Sequence, residues 1–302
     1  MKKELFKIKR ETELSPKFRK ELFIYFEIRN NVLCIYSPAK AYFYKIKETT
    51  LPSTFRVEKK HIPYFLKCLK EGTKPILPFE EVDAIIADEY FDMYYAKGIE
   101  IDADVVKTVS YAMAKDSVKP VFNGVCLYKP LGICASDSRR LSLVKMKLPI
   151  QENIILDYDL VKELKYNLEI FPYHAKADNL IMRFVDGSYP KIENVIPKDS
   201  DIYFEIKNVE KLKEYISILK DDIVKKIVFN KEKNKVEISH GVVDLEYETN
   251  ADYAFAFNGQ YLLDVFNSKG SRRFELNGSN APGVSIKENR VDLVMPIQVK
   301  NV

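Results

Sequence analysis

NGVCLYKPLGICASDSRRLSLVKM, residues 123–146, holds three short strand-like runs and two tight corners, and its pattern recurs twice elsewhere in the chain. Residues 124–128 and 132–136 are apolar runs divided by a Lys-Pro turn. A polar corner follows at Ser136, Asp137 and Ser138, then two arginines, and apolar and polar residues alternate over 141–146. Alternating segments punctuated by turn residues predict an antiparallel three-stranded meander. Adjacent arginines on a corner, Arg139 and Arg140, can meet a phosphate. The plain alternative is a surface hairpin with no ligand.

FIYFEIRNNVLCIYSPAKAYFYKI, residues 23–46, and KKIVFNKEKNKVEISHGVVDLEYE, residues 225–248, have the same order of strand, turn, strand, corner and strand. The three recur at intervals of roughly 100 residues, which marks repeated modules. An apolar stretch at helical spacing follows each one: VEKKHIPYFLKCLKEG (57–72), LDYDLVKELKYNL (156–168) and FNGQYLLDVFNSKG (257–270). A strand and then a helix precede two of them, in IEIDADVVKTVSYAMAK (99–115) and IYFEIKNVEKLKEYISIL (202–219). The expectation is an α+β chain of three consecutive modules, 1–98, 99–199 and 200–302. The first departs most. FKIKRETELSPKFRKELF (6–23) leaves room for a short strand and a turn of helix, and AIIADEYFDMYY (84–95) reads as strands.

Composition narrows the functional classes. With 302 residues, 46% hydrophobic and 30% charged, the chain can bury sizeable cores and is not a disordered protein. The opening MKKELFKIKR has the lysines of a signal peptide without its apolar run, and no stretch reaches membrane-spanning length, so a cytoplasmic protein is expected. Cys34, Cys68, Cys126 and Cys134 lack CxxC spacing and read as reduced packing residues. There is no GxxxxGK[ST] loop, no GxGxxG and no HExxH, and His61, His174 and His240 are far apart. No catalysis, cofactor or metal is expected. A nuclease built on Asp137 and Asp186 is the remaining enzymatic reading, and both aspartates sit in turn segments where a structural role is the simpler account.

The net charge of +4 is small, so the placement of lysines matters more than their number. Over 103–115, Val105, Val106, Val109, Ala112 and Met113 form one stripe, with Lys107, Tyr111 and Lys115 expected on the other side. Val209, Leu212, Ile216 and Leu219 repeat the stripe with Lys213 and Lys220 outward; Lys162 with Lys165, and Lys67 with Lys70, do likewise. Lysines on a single helix serve solubility. Recurrence on several helices points to a shared basic surface that follows a phosphate backbone without reading bases. Glu163, Glu210 and Glu214 on the same helices would keep that contact weak.

Five segments then carry a resemblance: KPVFNGVCLY (119–128) to R-P-V-L-N-G, ASDSRRLSL (135–143) to A-T-D-G-H-R-L-A, and FVDGSYPKIENVIP (184–197) to D-G-x-F-P-x-[FY]-x-x-V-[IL]-P. FNGQYLLDVF (257–266) is similar to F-N-x-x-Y-L-x-D-[VA]-L, and LVMPIQV (293–299) to V-x-M-P-[ML]-R. In that order they resemble the bacterial sliding clamp family, the DNA polymerase III β subunit. The resemblance implies three clamp-like domains with helices on the inner face and antiparallel sheets outside. It implies a non-enzymatic processivity factor that encircles double-stranded DNA, without sequence preference, as a head-to-tail homodimer. Lys107, Tyr111, Lys115, Lys119 and Lys213 are the candidate DNA contacts, and Ile218 and Leu219 match an apolar pair at the dimer interface.

The resemblance further implies a pocket between the second and third domains for short motifs of polymerase, clamp loader and other proteins. Phe122, Ser136, Ser138, Arg139, Arg140 and Leu141 would form one side. Pro190, Asn194, Val195, Asn258, Tyr261, Val294, Met295, Pro296 and Ile297 would form the other. The arginines would orient a peptide rather than grip phosphate. Ser138, Arg139 and Gln298 depart from the family's Gly, His and Arg, and Lys300, Asn301 and Val302 extend the terminus. A clamp-derived adaptor that binds peptides without encircling DNA is the competing reading.

Overall fold

The computed structural model describes residues 23–37, 40–45, 53–62, 64, 80–81, 87–197, 200–222, 224–230 and 235–299. Lys67, Cys68, Lys70, the stretch 6–22 and the terminal Lys300, Asn301 and Val302 lie outside the described residues. The chain packs as two compact units, Met1–Ala103 with Asp159–Phe184, and Asp104–Tyr158 with Val185–Val302. No described helix is long and apolar enough to cross a membrane.

The first unit holds a nine-stranded sheet in the order Glu80–Glu81, Thr54–Glu58, Phe23–Arg29, Val32–Ser37, Lys40–Lys45, Leu180–Arg183, His174–Ala177, Leu168–Ile170, Ile99–Ile101. The meander predicted at 23–46 is present. Its first turn is the pair Asn30 and Asn31, both left-handed at φ 48° and 61°, which suits a two-residue hairpin between right-twisted strands. Lys40–Lys45 continues directly into Leu180–Arg183, with Tyr42 opposite Leu180, so strands distant in sequence extend the first meander.

Three expectations, one of strand and two of helix, meet a different outcome here. Residues 84–95 were expected as strands, yet Ala87–Tyr95 is a helix. Buried Tyr90, Phe91 and Met93 face the sheet while Asp88, Glu89 and Asp92 face outward, a helical rather than a two-residue period. Asp88 and Glu89 occupy the first turn, where the helix dipole favours negative charge. At the other end, Lys176 Nζ reaches the carbonyls of Tyr94 at 3.2 Å and Ala96 at 3.3 Å. Arg29 ties Asp88 to the buried Glu27. Of the helix expected over 57–72, the strand Thr54–Glu58 takes the first residues and a 3-10 turn, Lys59–His61, follows; Ile62 and Tyr64 are helical, and 65–72 lie outside the described residues. That expected over 156–168 is confined to Tyr158–Glu163, because Leu168 already pairs with Ile101 and Ala177 as strand.

The second unit holds a nine-stranded sheet, Ile154–Asp157, Gly124–Tyr128, Gly132–Ser136, Arg140–Lys145, Arg290–Val294, Gly283–Lys287, Arg273–Leu276, Tyr203–Ile206, Tyr247–Thr249. A four-stranded sheet, Gly241–Asp244, Lys235–Ile238, Lys226–Phe229, Phe255–Asn258, completes it. Both remaining meanders fold as predicted. Gly132 makes the first corner at φ 141°, and a Cβ there would stand 2.1 Å from the Val144 carbonyl oxygen. Helices Val209–Ile218 and Gly259–Asn267 start behind Asn208 and Asn258, whose side chains accept from the amides of Lys211 and Gln260, each at 3.0 Å. Their apolar faces close over Phe204, Phe229, Phe255, Phe257 and Phe274.

The helix expected over 103–115 ends early. Ala103–Val109 is α-helical and Ser110–Ala112 is a 3-10 turn. Thr108 Oγ1 bonds back to the Asp104 carbonyl and Ser110 Oγ to that of Lys107, each at 2.8 Å. Such bonds favour a tightened last turn. The tighter turn advances the next residues, and Tyr111 therefore points inward instead of lying with the lysines. Its hydroxyl donates to Asp292 at 2.7 Å. Asp292, 1% exposed, also accepts from Ser142 Oγ at 2.6 Å and Arg290 Nη2 at 3.0 Å. Ser142 and Asp292 are register partners where the strands Arg140–Lys145 and Arg290–Val294 join.

Two outcomes follow from these buried groups. Asp292→Ala leaves the buried Arg290 charge with only the neutral oxygens of Ser268 and strips the acceptor from two hydroxyls, so a loss of about 3–5 kcal/mol is expected in urea unfolding. A loss below about 1 kcal/mol would mean the network contributes no more than a surface ion pair. His174 is buried with its ring 5.6 Å from that of Tyr90; burial holds its pKa below the ordinary 6.5, Arg183 adds to the effect and Glu89 opposes it. The unfolded chain then takes up a proton that the folded chain resists, so stability falls as pH drops through that ordinary value toward the folded one. His174→Phe should flatten this dependence, by at most about 1.4 kcal/mol per pH unit. Parallel unfolding curves for both proteins at pH 7.5 and 5.5 measure it, and identical pH dependence would assign the slope elsewhere.

Candidate peptide-binding site

A cleft of about 200 Å³ opens in the second unit beside the corner quoted first. The corner is shaped by its own side chains. Asp137 Oδ1 accepts from the amides of Arg139 at 2.9 Å and Arg140 at 3.0 Å, and Ser136 Oγ donates to the Arg140 carbonyl at 2.7 Å. Ser138 sits at φ 74°, a left-handed conformation that glycine adopts without cost. The Met295 amide donates to the Arg139 carbonyl at 2.8 Å, which brings the end of the strand Arg290–Val294 alongside. The third wall is the segment around the 3-10 turn Ile192–Asn194.

The floor is apolar. Phe122, Leu141, Tyr189, Ile192 and Leu293 belong to one buried cluster with Cys126 and Cys134. The Tyr189 ring stands 6.0 Å from Phe122, edge to face. Tyr128 donates to Glu193 at 2.8 Å; burial and then that carboxylate push its pKa up to about 12, so it stays a neutral donor that anchors the wall. Val195 and Met295 remain 50% and 40% exposed at the rim, apolar surface available to a ligand.

Arg140 carries the polar chemistry. Its Nε donates to Asp137 Oδ2 at 2.9 Å and its Nη1 to Asp264 Oδ2 at 2.5 Å, while the guanidinium lies 4.4 Å from the Tyr261 ring centre and 5.5 Å from that of Tyr111. Two carboxylates already neutralise it. The two carboxylates would repel a phosphate brought to the guanidinium, which favours a group that orients neutral peptide carbonyls.

Eight residues named from sequence line the cleft: Phe122, Ser136, Ser138, Arg140, Leu141, Pro190, Val195 and Met295. Arg139, Asn194, Asn258, Tyr261, Val294, Pro296 and Ile297 do not. Asn258 caps its helix, Tyr261 supports Arg140, and the Ile297 amide bonds the Ala256 carbonyl at 2.8 Å. Val294 packs in the phenylalanine cluster, because alternate residues of a strand face opposite sides; Leu293, opposite Leu141, faces the cleft instead. Tyr189, Lys191, Ile192 and Leu293 line the cleft without having been named from sequence. The period-2 phase of 290–294 would have found Leu293, but nothing local marks the other three as lining.

Of the candidate DNA contacts, Lys107, Lys115, Lys119 and Lys213 are exposed, and Tyr111 is turned inward. Lys107 pairs with Asp104 and Lys213 with Glu210, both at 2.7 Å. The apolar pair at the end of the helix Val209–Ile218 divides: Ile218 is 53% exposed and Leu219 is buried. Among the described residues no group of three or more His, Cys, Asp or Glu could hold a metal ion.

No protein-family model matches the chain, and no curated protein matches its sequence. Solved structures do match. A Caulobacter crescentus beta sliding clamp superposes with a TM-score of 0.70 at 14% identity, covering 99% of this chain and 96% of that one. The Helicobacter pylori beta clamp bound to a DNA ligase peptide gives 0.67 at 17% identity, covering 98% of both chains. A Pseudomonas aeruginosa sliding clamp bound to griselimycin gives 0.66 at 16% identity, covering 99% and 97%. Over almost its whole length the chain has the fold of the bacterial DNA polymerase III β sliding clamps.

Proposed function

We propose that the protein is a DNA-polymerase sliding clamp, a non-enzymatic processivity factor built of three clamp-like domains, 1–98, 99–199 and 200–302, that closes as a head-to-tail homodimer around duplex DNA. The observation that carries this reading is the apolar cleft beside Arg140, with Val195 and Met295 exposed at its rim, on a chain that has the clamp fold throughout. Short motifs of polymerase, clamp loader and other replication proteins would occupy the cleft. A similar fold holds a DNA ligase peptide in Helicobacter pylori. A polymerase tethered this way rebinds at high effective concentration instead of diffusing away, and that is processivity.

Ring closure is supported by a sheet edge that carries no further strand among the described residues. Gly241–Asp244 is the end strand of the four-stranded sheet, and its Val242 is 62% exposed. An unpaired edge with apolar side chains is a template for another strand, and a head-to-tail contact of this kind closes only if the rotation permits. Exposed Ile218 would lie at the same interface. Lys107, Lys115, Lys119 and Lys213 would face the duplex, contacting phosphates without reading bases.

Sedimentation over a wide concentration range tests the ring. A species of twice the 35.1 kDa chain is expected, with Ile218→Ser raising its dissociation constant by about tenfold or more. The dimer should then be retained on circular DNA and lost from linear DNA. A monomer at every concentration would overturn the proposal, and Leu219 is the wrong residue to vary because its burial confounds folding with assembly.

A further inference from the structure

Asp264 does not line the cleft, yet it holds the side chain that does. It lies within the helix Gly259–Asn267, 124 residues from Arg140, and its Oδ2 accepts from Arg140 Nη1. We infer that Asp264 is a positioning residue for peptide binding, fixing the Arg140 guanidinium so that its remaining nitrogen, Nη2, donates to a main-chain carbonyl of an extended peptide in the cleft. This inference rests on the peptide-cleft reading above.

Three contacts pin the guanidinium. Asp137 takes Nε from within the corner itself, Asp264 takes Nη1 from another element, and Tyr261 supports the planar face at 4.4 Å. A free arginine samples many rotamers, and such a clamp removes most of that freedom before a ligand arrives. Nη2 is the guanidinium nitrogen that neither carboxylate takes. Asp264 is itself oriented: its Oδ1 accepts from Gln260 Nε2 at 2.8 Å, and Gln260 Oε1 accepts from Lys225 Nζ at 3.3 Å. The order Lys225, Gln260, Asp264, Arg140, Asp137 alternates donors and acceptors from the sheet to the corner. Asp137 alone cannot do this, since a contact three residues away moves with the corner and fixes nothing against the rest of the cleft. The double neutralisation also selects the ligand chemistry, favouring a carbonyl over a phosphate.

The test is fluorescence anisotropy of the full chain with the DNA ligase peptide known from the Helicobacter pylori clamp complex, with griselimycin as a second probe. Asp264→Asn keeps the shape and removes the charge, and about tenfold weaker peptide binding is expected. Arg140→Ala should weaken binding at least as much, and the double variant no further than Arg140→Ala alone, because Asp264 acts through Arg140. Gln260→Ala leaves the ion pair and loosens its support, so a loss of about two- to threefold is expected. Thermal melts accompany each variant; a merely structural tie would lower the melting temperature without coupling to Arg140 in the affinity. Asp264→Asn binding within about twofold of the parent, or losses that multiply in the double variant, would overturn the inference while leaving the cleft reading intact. Failure of the parent protein to bind either probe would overturn the cleft reading and this inference with it.

Discussion

Ser142 and Asp292 face each other across the junction of two meanders, and the second unit depends on that pairing. Five register pairs join Arg140–Lys145 to Arg290–Val294, and the carboxylate at their centre is buried. A slip of the strand Arg290–Val294 by one residue would turn Val291 and Leu293 out of their cluster and set Asp292 against leucine. Apolar matching alone tolerates such a slip poorly. A buried aspartate with a hydroxyl opposite it makes the alternative register costlier still, since its charge would lose Ser142 and Tyr111 together. Burial of the Asp292–Arg290 pair is weak evidence for net stability; its clearer physical effect is to specify which residues meet.

The cleft is a consequence of that register. With Val294 opposite Arg140, the chain beyond the strand runs beside the corner, and the Met295 amide finds the Arg139 carbonyl. Three walls from distant parts of the sequence then enclose a floor of Phe122, Leu141 and Leu293. The rim is less committed than the floor. Met295 is unbranched and polarizable, which lets it reshape around different side chains, and Val195 adds apolar surface without direction. Direction comes from Arg140, whose charge is neutralised before any ligand arrives.

The meanders were legible in the sequence because each is local: Asn30 with Asn31, and the bend at Gly132, announce turns between runs of matching alternation. The joins between meanders were not. Tyr42 beside Leu180 and Leu141 beside Leu293 are pairings across more than a hundred residues, and strand alternation says which face a residue takes without naming its neighbour. The helix Ala87–Tyr95 was missed because adjacent aromatics at Tyr90, Phe91, Tyr94 and Tyr95 mimic strand composition, while the decisive feature was the spacing of the acids Asp88, Glu89 and Asp92. Tyr111 was misplaced for a subtler reason: a phase extrapolated at 100° per residue fails once the backbone tightens to a 3-10 turn. The Asp264 contact to Arg140 left no local trace at all, and geometry alone supplied it.

The lysines on the helix faces pose a different problem, since two of them already have carboxylate partners three residues away. Lys107 with Asp104 and Lys213 with Glu210 are exposed i, i+3 pairs. In water two unit charges at 4 Å interact by about 1 kcal/mol, and measured surface pairs contribute less. A passing phosphate can therefore exchange with the carboxylate at almost no net cost, and the lysine returns to its partner when the phosphate leaves. For a protein proposed to travel along DNA, that exchange is an advantage: tight unpaired cations would hold one register of the backbone, whereas lysines with standing partners keep every register nearly equal in free energy. Retention would then fall to the proposed ring, and mobility to the weakness of its contacts.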